Sequence, residues 1–122
     1  MELEVLKYLH DVLESIDRLL SYSAQIDKIE QIEQNEMLKD AIERRLSIVG
    51  DALYQANKIN NAIPISNKAK IFALRHIIVH DDDSVNPAGL YIILKEHLAL
   101  LHTEVKSILH EYPPDANAGL AI

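Results

Sequence analysis

The sequence predicts an all-α fold, an up-and-down bundle of four main helices. Three observations carry that prediction. Apolar residues recur at steps of three and four along most of the chain, and no stretch of useful length alternates with the period of two that a strand requires. Aromatics make up only 5% of 122 residues, with no Trp, so the core must be built from Leu, Ile, Val and Ala, as in helical bundles. An apolar share of 48% and a charged share of 25% mark an ordinary globular chain, short enough for one core.

The elements follow in order. Val5, Leu9, Val12, Ile16 and Leu19 alternate steps of four and three, and Leu6, Leu13 and Leu20 widen the stripe, which places a first helix over 2–24. Residues 25–35 are acidic and polar and read as a solvated loop. A second stripe through Leu38, Ile42, Leu46, Val49, Leu53 and Ala56 places a long helix near 36–60. Gly50 lies inside it at about 1 kcal/mol relative to Ala, and a glycine so placed marks a close helix crossing. Pro64 breaks the pattern, because the residue before a proline is pushed out of helix. Ser66 or Asn67 is then the candidate cap of a third, shorter helix through Ile71, Leu74 and Ile78. It should end near His80, since three consecutive aspartates are unfavourable at a negative helix terminus. Asn86-Pro87 is a start signal, cap then N1 proline, for a fourth helix carrying Leu90, Leu94, Leu98, Leu101, Val105 and Ile108. That helix stops before Pro113-Pro114, giving a helical domain over 1–112 and a flexible C-terminal tail over 113–122.

Composition narrows the chemistry. The absence of cysteine excludes a disulfide framework and a thiolate metal site. Met1-Glu2-Leu3-Glu4 offers no basic region before an apolar run, and no run approaches the length of a membrane span. A cytoplasmic protein with no membrane contact is the expectation. A net charge of −7 argues against field-driven binding of nucleic acid, so any RNA contact must be local or assisted by a partner surface. The stripes are wide for so small a bundle, which predicts a symmetric homodimer.

Arg75-His76-Ile77-Ile78-Val79-His80 and the following Asp81-Asp82-Asp83 concentrate one guanidinium, two imidazoles and three carboxylates in nine positions. An arginine holds phosphate without losing its charge, and a histidine moves protons near neutral pH. Together they suit metal-free cleavage of a phosphodiester. His76 and His80 are four apart and share a helix face, whereas Arg75 and His80 lie about 140° apart on an ideal helix. Structural roles stand beside these: an ion pair of Arg75 with Asp81 or Asp51, a dipole-favoured His80 at a helix end, and a solvated turn at Asp81 to Asp83. His76 and His80 followed by carboxylates also permit a divalent ion such as zinc, but no second pair of ligands is evident, and neither metal nor cofactor is expected. His97 and His102 read as unrelated surface residues, and Arg45 and Asp51 as supports of the motif.

An arginine, four intervening residues and a histidine on the third helix of a small four-helix domain resembles the HEPN superfamily, and its HepT-like toxin branch in particular. The likeness spans about residues 1–112. It includes the second-helix run from Asp40 to Ala52, with Gly50 in place, and the run from Phe72 to His80. The resemblance implies a metal-independent endoribonuclease, a homodimer with its site at the interface. It further implies the toxin of a type II or type VII-like toxin–antitoxin pair whose partner is a minimal nucleotidyltransferase. Arg75 and His80 fall on the family's catalytic arginine and histidine, with His76 and Asp82 as candidates for catalytic support. One departure matters: the branch carries a tyrosine two residues after the histidine, the acceptor through which the partner silences it, and this chain has Asp82. A non-catalytic module that binds a nucleotidyltransferase or nucleotide is the alternative.

Overall fold

In the computed structural model, residues 1–76 and 86–113 are described. They form helices α1 (Leu3–Ser23), α2 (Glu30–Glu33), α3 (Glu36–Ile59), α4 (Lys68–Ala73), α5 (Pro87–Ile92) and α6 (Leu98–Glu111). A 3-10 turn, Leu74–His76, continues α4, and a π-turn, Ile93–His97, joins α5 to α6 in one helical run. No strand occurs among the described residues, so the all-α bundle read from the sequence is what the chain forms.

The predicted stripes are the core. Val5, Leu9, Val12, Ile16 and Leu19 of α1 pack against Ile42, Leu46, Val49, Leu53 and Ala56 of α3, in the most extensive contact among the described residues. The run from α5 to α6 closes the core with Leu90, Leu94, Leu98, Leu101, Val105 and Ile108. Its leucine steps of four, four and three overshoot two α-turns of about 7.2 residues between Leu90 and Leu98. The wider π-turn takes up that excess and keeps the ladder facing inward. Polar ties hold the same region to the end of α1 and the segment after it: Lys95 Nζ donates to the Ser23 carbonyl at 2.7 Å and the Tyr91 hydroxyl to the Asp27 carbonyl at 3.2 Å. His102, expected to stand apart, meets Asp17 of α1 at 2.8 Å.

Two expectations need correction. The segment 25–35 is not wholly a solvated loop: it contains α2, and Ile26 and Ile32 are 2% and 0% exposed. Gln31 organises it, its side-chain oxygen accepting from Asp27 N and Lys28 N at 2.7 and 2.9 Å. The third helix, α4, lacks the side-chain cap expected of it. Its α-helical part ends at Ala73 and tightens into the 3-10 turn. Its N-cap, Asn67, stands at φ 60° and makes no side-chain cap bond, while Ser66 donates through its amide and hydroxyl to Glu104. The expected continuation to His80 lies outside the described residues.

The start of α5 is as expected, Asn86 accepting from Gly89 N at 2.8 Å with proline inside the first turn. Asn86→Ala removes that cap and should lower stability by about 1 kcal/mol, measured as a shift of the urea midpoint with an unchanged slope.

Candidate active site

A close approach of α4 to α3 positions the arginine. α4 and its 3-10 turn lie directly on Gly50 of α3: a Cβ there would meet Arg75 N at 2.6 Å, Ile71 O at 2.8 Å and Leu74 C at 3.0 Å. The glycine anticipated as a crossing point is therefore the seat of the Arg75 backbone. One helical turn further along α3, Tyr54 receives the other end of the residue. The guanidinium carbon of Arg75 is 3.6 Å from the centroid of the Tyr54 ring, a stacking distance. Phe72, the chain's single phenylalanine, presents its ring to Tyr54 at 5.6 Å between centroids and 86° between planes.

Arg75 and His76 line a groove of about 370 Å³, with Tyr8 and Asp11 of α1 and Arg44, Ser47, Ile48, Asp51 and Ala52 of α3. The groove mixes two guanidiniums and an imidazole with two carboxylates. Arg75 makes no ion pair among the described residues, so Asp51, offered above as its structural partner, does not neutralise it. A half-buried guanidinium beside a groove, with no ion-pair partner among the described residues, has the features of an anion-binding group.

Of the residues singled out from the sequence, the structure places Arg75 and His76 together at this groove and adds Asp51 to its wall. Arg45 is not part of the lining. His80 and Asp82, with Asp81 and Asp83, lie outside the described residues. His97 lines a second groove of about 370 Å³ between α4 and the last helical run, together with Lys70, Leu74 and Leu100. Tyr8, Asp11, Arg44 and Tyr54 were not anticipated. The signal for some was present: Arg44, Ser47 and Asp51 follow one another at steps of three and four on the stripe beside the core stripe of α3. No helix of the described residues is long and apolar enough to cross a membrane.

No solved structure matches the chain. A protein of Methanocaldococcus jannaschii that is provisionally named an RNase is 29% identical over 106 residues, covering 86% of this chain and 96% of that one. The family described as "Ribonuclease HepT-like" matches residues 12–108, which takes in α3, the Gly50 crossing and the Arg75 turn. The chain belongs to that family, the HepT-like branch of the HEPN superfamily.

Proposed function

We propose that this protein is a metal-independent endoribonuclease that uses Arg75 and His80. The observation that carries the proposal is the Arg75 guanidinium held over Tyr54 at the groove with no carboxylate partner among the described residues. Family membership and the RNase name of the archaeal relative support it. In this chemistry the ribose 2′-oxygen attacks phosphorus, the 5′-oxygen leaves, and a 2′,3′-cyclic phosphate remains. His80 takes the 2′-hydroxyl proton or supplies one to the leaving oxygen, and Arg75 binds the charge that grows on the phosphoryl oxygens. His76 and Asp82 are the proposed supports. The active form is a homodimer, for which exposed Leu3, Ile92 and Leu100 supply apolar surface. The toxin of a toxin–antitoxin pair, with a minimal nucleotidyltransferase as antitoxin, is the proposed biological setting.

A non-catalytic module that binds the nucleotidyltransferase or a nucleotide is the second reading, favoured by the net charge of −7 and by Asp82 at the position of the branch tyrosine. The two separate on one experiment. The purified chain is incubated with tRNA and total RNA in EDTA beside His80→Ala. A ribonuclease cleaves, and the variant loses about 10²-fold or more of the rate, the contribution of a general acid or base. Intact RNA with a folded parent chain, and a stoichiometric complex with the nucleotidyltransferase, would establish the binding module instead.

A further inference from the structure

We infer that Tyr54 is a positioning residue for the Arg75 guanidinium, an inference that rests on the ribonuclease function proposed above. Arginine has a long, flexible side chain, and a group that stabilises transition-state charge is effective only when its direction is set beforehand. Here two contacts on one helix set it. The backbone of Arg75 is seated on Gly50, and its head is stacked on Tyr54 one turn away. Phe72 meets the tyrosine ring in a T-shaped contact, so the Tyr54 ring is held by Phe72 as well as covered by Arg75. A guanidinium lying on a ring face keeps its N–H edge free, and that edge is what binds a phosphate.

The ring and not the hydroxyl performs this task. The Tyr54 hydroxyl makes no hydrogen bond among the described residues, whereas its ring meets Phe72 and Arg75, with Lys58 Nζ 5.7 Å from its centroid. A residue that only filled space would tolerate an aliphatic replacement of similar bulk. A cation-stacking ring would not, and would tolerate loss of the hydroxyl.

Tyr54→Phe and Tyr54→Leu in the full chain separate these. The first readout is the Arg75 Nε–Hε resonance, assigned among four arginines by its disappearance in Arg75→Lys. It is shifted upfield by the ring in the parent and in Tyr54→Phe, and returns to the range of the other arginines in Tyr54→Leu. The second readout is kcat and KM on an RNA oligonucleotide, with the thermal midpoint recorded for each variant. Tyr54→Phe stays within about twofold of the parent, whereas Tyr54→Leu loses about tenfold or more in kcat with KM within about twofold, because the loss falls on the transition state. An unshifted Arg75 resonance in the parent overturns the inference, as does parental kcat in a Tyr54→Leu chain that has lost the shift. A parent that cleaves no RNA overturns the ribonuclease function instead, while the resonance still reports whether Tyr54 seats Arg75.

Discussion

Arg75→Ala is expected to lower RNA cleavage by about 10²- to 10³-fold, the scale on which removal of one preorganised charge-stabilising donor acts. The fold should survive. The side chain is half-buried, and its stacking on Tyr54 is worth about 0.5–1 kcal/mol, a small part of the stability of a bundle with this core. Arg75→Lys sharpens the result. Lysine keeps the charge but has neither the planar face that lies on Tyr54 nor the fork that meets two phosphoryl oxygens, so little activity should return. Initial rates on an RNA oligonucleotide, with helical content by circular dichroism, decide the matter. Parental rates in Arg75→Ala would remove this residue from the chemistry.

Gly50→Ala should produce the second large effect, although Gly50 touches no substrate. The three atoms that its added methyl group would meet, at 2.6, 2.8 and 3.0 Å, all belong to the backbone of α4 and its 3-10 turn, so no side chain can rotate aside. The turn must back away from α3. Overpacking of this kind costs about 1–3 kcal/mol, partly offset by about 1 kcal/mol of improved helix propensity. The net loss of stability is modest, while a displacement of the Arg75 backbone near 1 Å is worth about 10²-fold in rate. Activity should therefore fall far more than the thermal midpoint. A Gly50→Ala protein as active as the parent would show that the crossing does not set the arginine.

These two residues also show what was legible in the sequence. Each long stripe identified by period is buried: Val5 to Leu19, Ile42 to Ala56, Leu90 to Ile108. Burial of one helix face is a repeating physical demand, and repetition is what a single sequence displays. Gly50 was legible because glycine inside a strong helical pattern is unfavourable without a compensating contact. Arg75 was legible from the density of charge around it. Tyr54 was not, since an aromatic residue on a half-apolar helix reads as core, and only the fold brings Arg75 over its ring. The burial of Ile26 and Ile32 was hidden for a similar reason: Gln25, Asp27, Glu30, Gln31 and Glu33 make the segment look solvated by average composition, while its isoleucines recur every three residues.

The 3-10 turn from Leu74 to His76 is a party wall. Leu74 faces the groove along the last helical run, and Arg75 and His76 face the groove along α3. Leu74 and Arg75 are consecutive residues, so a shift of the turn's backbone moves both. Whatever displaces the backbone at Leu74 carries Arg75 with it, so the shape of either groove is a boundary condition on the other.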